Sequence, residues 1–133
     1  MTANGAFDRG LANRTQVLGA DYVARSLAPK SQFEQDFQRF VTEYCWGTVW
    51  DRPGLPREIR SLLNVAMLTA LGRNDELKLH IRGAFNNGVT RSEMEEALFQ
   101  VAVYCGIPAA LEGLRTLRSA ISEMDAAAEE EGN

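Results

Sequence analysis

A chain of 133 residues, 45% hydrophobic and 24% charged, has the size and composition of one globular domain. Its net charge of −4 argues against nucleic acid as a partner, and no apolar run approaches the roughly 20 residues of a bilayer span. Met1 to Gly10 lacks the apolar core of a signal peptide, and Cys45 and Cys105 fit no zinc-ligand or CxxC spacing, so a cytoplasmic protein with reduced thiols is expected.

The elements read as helices almost throughout. A weaker helical signal runs from Leu11 to Leu27. Ser31-Gln32-Phe33-Glu34 is a capping box, opening a helix with Phe33, Phe37, Phe40 and Val41 on one side as a core stripe. That helix should fade near Gly47, and Trp46 to Pro56 reads as a loop. Pro56 suits the first turn of a helix through Ile59, Leu62, Leu63, Val65 and Met67 to Gly72. Being apolar almost all round, it should be covered on several sides. Thr90-Arg91-Ser92-Glu93 is a second capping box, and Cys105-Gly106-Ile107-Pro108 breaks its helix before a last one from about Ala109 to Met124. No strand alternation, repeat or linker stands out. The fold class expected is all-α, a compact domain of about six helices spanning 1–133, with 1–9 and 124–133 as frayed ends.

Charge is unevenly placed. Glu123, Asp125, Glu129, Glu130 and Glu131 crowd the C-terminal end, and without them the net charge would be +1. Between Asp51 and Arg73 four arginines stand against two acids, a place suited to an anionic small molecule.

The only histidine, His80, lies in Gly72-Arg73-Asn74-Asp75-Glu76-Leu77-Lys78-Leu79-His80. Glu76 and His80 are four apart, so on a helix they share a face. At ~100° per residue both fall on the mostly inward half, opposite Asp75, Lys78, Arg82 and Asn86. A carboxylate beside the ring would set its tautomer and raise its pKa toward neutrality, where one group can give and take a proton.

Laid out together, these residues resemble the carboxymuconolactone decarboxylase family. The matching text is Thr42-Glu43-Tyr44-Cys45-Trp46-Gly47-Thr48-Val49-Trp50, Arg52-Pro53-Gly54-Leu55, Arg60-Ser61-Leu62-Leu63, Ala70-Leu71-Gly72-Arg73, Glu76-Leu77-Lys78-Leu79-His80, Asn87-Gly88-Val89-Thr90 and Gln100 to Ala110. It extends from about Gly10 to about Ser119. In the wider superfamily, alkylhydroperoxidase-type members carry a CxxC ahead of the histidine; here those positions hold Arg73 and Glu76, which disfavours peroxidase chemistry.

The resemblance implies decarboxylation of 4-carboxymuconolactone to 3-oxoadipate enol-lactone within protocatechuate catabolism, in a homotrimer or homohexamer. Loss of carbon dioxide from that lactone pushes electrons onto the lactone carbonyl oxygen. The substrate is its own electron sink, so no cofactor is required. The protein must supply donors for the developing oxyanion, a proton for carbon, and cations for two carboxylates. The roles expected are His80 as proton or oxyanion donor, Glu76 orienting it, and Glu43 as a second acid. Arg60 and Arg73, with Arg52 behind them, would anchor carboxylates, and Trp46 and Trp50 would wall the pocket. The alternatives are a thiol-dependent hydroperoxidase and a non-catalytic helical oligomer binding another anion.

Overall fold

The computed structural model describes residues 5–28 and 30–132. Among them all regular structure is helical: α1 (Ala6–Leu18), α2 (Ala20–Leu27), α3 (Gln32–Val41) running on into a π-helical segment (Thr42–Val49), α4 (Arg57–Leu71), α5 (Asn74–Asn86), α6 (Arg91–Cys105) and α7 (Ile107–Gly132). The all-α expectation holds, with seven α-helices rather than about six. Gly19 accounts for the difference. At φ +93° it takes a backbone that a residue with a Cβ rarely adopts, and this divides the Leu11–Leu27 signal into α1 and α2. Of the expected frayed start, residues 1–4 lie outside the described residues, and α1 already begins at Ala6. Contacts group the chain into two compact units, Met1–Arg60 and Ser61–Asn133.

In the first unit, α1 lies directly on the π-helical segment. A Cβ at Gly10 would fall onto the Thr42 carbonyl oxygen and within 2.8 Å of the Gly47 nitrogen; one at Gly47 would fall onto the Ala6 carbonyl group. Two glycines therefore allow backbone to meet backbone. The wide turns are closed by five-residue bonds such as Trp50 N–H to Cys45 O at 3.0 Å, and by side chains reaching across from α1. Asn13 Nδ2 donates to Trp46 O at 2.9 Å, and Arg14 Nη1 to Thr42 Oγ1 at 3.1 Å. Helical structure thus extends to Val49, past the expected end near Gly47.

The α3 capping box forms as expected, Ser31 Oγ accepting from Glu34 N–H at 3.1 Å. Its aromatic stripe does not form core. Phe33 is 73% exposed, Phe37 and Phe40 are more than half exposed, and α3 buries no residue. Helical spacing identified a common face, and the rings do line up along it, Phe40 stacking on Tyr44 at 5.4 Å. Spacing cannot tell what covers that face.

In the second unit the core gathers Val65, Leu77, Ile81, Ala84, Met94, Leu98, Leu117 and Ala120 from α4, α5, α6 and α7. Gly72, at φ +71°, ends α4 and lets Arg73 N–H return to Leu68 O at 3.0 Å. The Thr90–Glu93 box opens α6. The C-terminal end is helix rather than fray: α7 reaches Gly132, and Glu123 meets Lys78 Nζ at 2.6 Å and Arg82 Nη2 at 2.9 Å. On α4 only Ser61, Val65 and Thr69 are buried, so the expected covering on several sides is not met within the chain. Ile59, Leu63, Met67 and Leu71 form an exposed apolar row at four-residue spacing. No helix among the described residues is long and apolar enough to cross a membrane.

Candidate active site

On α5 the buried stripe is Leu77, Ile81 and Ala84, the i, i+4, i+7 pattern of one face. His80 stands about 60° to one side of Leu77 and is half-buried; Glu76 stands about 100° away and is exposed. The expectation that both lie inward is corrected for Glu76, which falls just beyond the margin of the stripe. His80 takes a partner from α4. Its Nδ1 faces Asn64 Nδ2 at 3.5 Å. With the amide donating, Nδ1 accepts and the ring proton sits on Nε2.

The expected rise of the His80 pKa is also reversed. Burial pushes it from 6.5 down to about 4. An imidazolium would lose its hydration here, and Asn64 offers a donor where a cation needs an acceptor. The ring is therefore neutral at pH 7.

This has a stability signature. Below about pH 6.5 the unfolded chain takes up a proton that the folded ring refuses down to about pH 4. Folding stability should therefore fall with pH across that window, by up to about 2 kcal/mol between pH 7 and pH 5 from this group. Urea unfolding of the wild type and His80→Gln at both pH values measures it. Equal pH slopes in the two proteins would show that the ring titrates normally.

In the same unit Arg73 occupies the N-cap position of α5 and is exposed. A cation there opposes the helix dipole, so helix stability does not explain it. In the first unit Arg60 is half-buried, donates from Nη2 to Arg52 O at 3.3 Å, and has a buried Nε–H with no partner among the described residues. The Arg52 side chain is exposed. Glu43 is engaged by Arg39 at 2.9 Å.

Trp46 and Trp50 are only 3% and 6% exposed and stack at 4.7 Å with Val17 in the core of that unit. Trp46 lies in the π-helical segment and Trp50 caps it, and both indoles pack inward. Both cysteines are free, and burial raises the Cys45 thiol despite Arg14 and a hydrogen bond to Trp50. A raised thiol is a poor nucleophile, which further disfavours hydroperoxidase chemistry. Among the described residues no three His, Cys, Asp or Glu side chains group as metal ligands.

Several polar residues were missed by the sequence reading. Asn64 sits in an otherwise apolar helical run, and that isolation was the available signal, since half-buried amides need partners. Ser61 is fully buried and accepts from Asn87 Nδ2 at 2.8 Å. Asn13 also donates to Asp51 Oδ1 at 3.1 Å and accepts from Arg57.

The family model for the carboxymuconolactone decarboxylase family matches residues 35–119. The chain is 52% identical over 103 residues to the 4-carboxymuconolactone decarboxylase of Acinetobacter baylyi, covering 77% of each chain. It is 44% identical over 118 residues to the nitrosuccinic acid decarboxylase of Metarhizium robertsii, covering 89% of this chain and 82% of that one. An uncharacterised 15.0 kDa protein of Paracoccus denitrificans is 31% identical over 64% of this chain and 65% of its own. With the family model spanning most of the sequence, and two decarboxylases aligned over more than three quarters of their lengths, the chain belongs to the carboxymuconolactone decarboxylase family.

Proposed function

We propose that this protein is a cofactor-free carboxy-lyase converting 4-carboxymuconolactone to 3-oxoadipate enol-lactone and carbon dioxide. The observation that carries the reading is the 52% identity to a decarboxylase of that substrate. The physical requirements agree with the residues at hand. As carbon dioxide leaves, its bonding electrons pass through the ring double bond to the lactone carbonyl oxygen, and a proton then adds at carbon. A neutral His80 presenting Nε2–H is suited to the oxyanion, where one fixed donor is typically worth about 10²–10³ in rate. Negative charge arriving with the substrate raises the ring's pKa and brings proton donation within its reach. Glu76, four residues ahead on α5 and in contact with solvent, is assigned the resupply of protons in place of the orienting role.

Arg60 and Arg73, with Arg52 behind them, are the proposed carboxylate anchors. Support for Arg60 is its unpaired Nε–H, which with an Nη–H makes the two-pronged donor edge that a carboxylate fits. Support for Arg73 is its position against the α5 dipole, where an anion would satisfy both. For Trp46 and Trp50 the proposal narrows to shaping the core of the first unit, and no chemical step is assigned to Glu43, which Arg39 holds.

The chain is read as one domain over 1–133, supported by a family match that spans both units. A cytoplasmic homotrimer or homohexamer is proposed, supported by the uncovered apolar faces of α3 and α4. Sedimentation equilibrium should give a mass three or six times 14.7 kDa, and a monomer would remove that proposal.

The decisive assay follows loss of 4-carboxymuconolactone by ultraviolet absorbance together with carbon dioxide release. 2-Nitrosuccinate belongs in a second arm, because the relative at 44% identity acts on nitrosuccinic acid. There the nitro group is the electron sink and a nitronate replaces the dienolate. The lactone should be consumed far faster; turnover of nitrosuccinate alone would reassign the substrate while keeping the reaction class.

A further inference from the structure

We propose that Asn64 is the positioning residue for His80: its amide donates to Nδ1, holds the ring in the Nε2–H tautomer, and directs that N–H to the substrate's oxyanion. The inference rests on the His80 reading above and adds to it the group that decides which ring nitrogen carries the proton.

The geometry begins on α4. Ser61, Val65 and Thr69 form its buried stripe within the second unit, and Asn64 sits beside that stripe, half-buried. Two polar rungs link α4 to α5 and the residue that follows it. Ser61 Oγ accepts from Asn87 Nδ2 at 2.8 Å, and Asn64 Nδ2 faces His80 Nδ1 at 3.5 Å. Moving forward from Ser61 to Asn64 moves backward from Asn87 to His80, so the rungs join antiparallel helices. The Ser61 rung, wholly buried at its α4 end, fixes how far α4 can slide along α5. With that register fixed, Asn64 arrives opposite the ring.

Residue type is the second part of the argument. With the amide nitrogen toward the ring, as the 3.5 Å approach of Nδ2 to Nδ1 has it, Nδ1 offers a lone pair and the only ring proton sits on the far nitrogen. A carboxylate at the same point would require N–H at Nδ1. The neutral ring would then show a lone pair at Nε2, and would repel a developing oxyanion rather than donate to it. Asparagine and aspartate have nearly the same size, but only asparagine can turn an N–H toward Nδ1, so exchanging them tests the polarity of this contact with little change in packing. The low pKa of the ring agrees with a neighbour that offers it no negative charge.

With one histidine in the chain, imidazole nitrogen spectra of histidine-labelled protein report this ring alone. The wild type should show Nε2 protonated and Nδ1 bare at pH 7. Asn64→Asp should move the proton to Nδ1, raise the ring's pKa and lower kcat about 10²-fold. Asn64→Ala should mix the tautomers and lower kcat by a similar factor. KM should change little in either, because Asn64 acts through the ring rather than on substrate. A wild-type ring protonated at Nδ1 overturns the proposal whatever the kinetics. So does wild-type kcat in both variants while His80→Ala is inactive. Full activity in His80→Ala instead overturns the His80 reading itself, and the nitrogen spectra then decide separately whether Asn64 sets the tautomer.

Discussion

His80→Ala should lower kcat on 4-carboxymuconolactone by about 10²–10⁴ and stability at pH 7 by only about 1–2 kcal/mol. The asymmetry follows from where the ring sits. It flanks the Leu77–Ile81–Ala84 stripe without belonging to the core cluster, so truncation leaves a shallow gap rather than a sealed cavity. Turnover depends on it differently, because charge gathers on one oxygen only as carbon dioxide departs. A donor fixed there is therefore worth more in the transition state than in the bound substrate. His80→Gln separates the two duties assigned to the ring. A glutamine amide still donates a hydrogen bond but cannot deliver a proton to carbon. If oxyanion stabilisation dominates, His80→Gln should recover about tenfold over His80→Ala; if proton delivery dominates, both should be equally poor. Turnover at the wild-type rate in both variants would remove His80 from the mechanism.

How much of this was legible depended on how local the cause was. Both capping boxes form as read, because Ser31 with Glu34 and Thr90 with Glu93 need only three residues of chain. Gly72 ends α4 for an equally local reason. The aromatic stripe of α3 was correctly grouped on one face and wrongly assigned to the core, since what covers a face is set by another part of the fold or another copy. At His80 the same limit appears in chemical form. The carboxylate four residues away was visible from helical spacing, whereas Asn64 is sixteen residues away and on another helix. Neither the burial that drives the ring's pKa down nor the amide that faces it can be read from α5 alone. The π-helical segment was missed because part of what holds it comes from α1: Asn13, which donates to the Trp46 carbonyl, lies 33 residues before it, and no short-range pattern marks that bond.

The largest effect on stability should come from the glycines that permit that packing. Gly10→Ala and Gly47→Ala should each cost more than about 3 kcal/mol, at the upper end of what overpacking does. On an exposed helix, glycine to alanine gains up to about 1 kcal/mol from helix propensity. Here the added methyl meets main chain on both sides of one contact: the Thr42 carbonyl oxygen and Gly47 nitrogen above Gly10, the Ala6 carbonyl above Gly47. Backbone cannot turn aside as a side chain does, so α1 must lift from the π-helical segment. Lifting it pulls Asn13 from Trp46 O and Arg14 from Thr42, and Arg14, a residue only 4% exposed, loses that bond. Gly113→Ala is the informative contrast. Its Cβ would meet the Thr69 methyl at 2.6 Å and a Leu98 methyl at 2.9 Å, ends of side chains that can rotate, so a loss of about 1–2 kcal/mol is expected. Gly54→Ala, with nothing within 4 Å, should be near neutral. Urea midpoints for the four variants should rank in that order. Wild-type stability in Gly47→Ala would mean that α1 and the π-helical segment do not meet backbone to backbone.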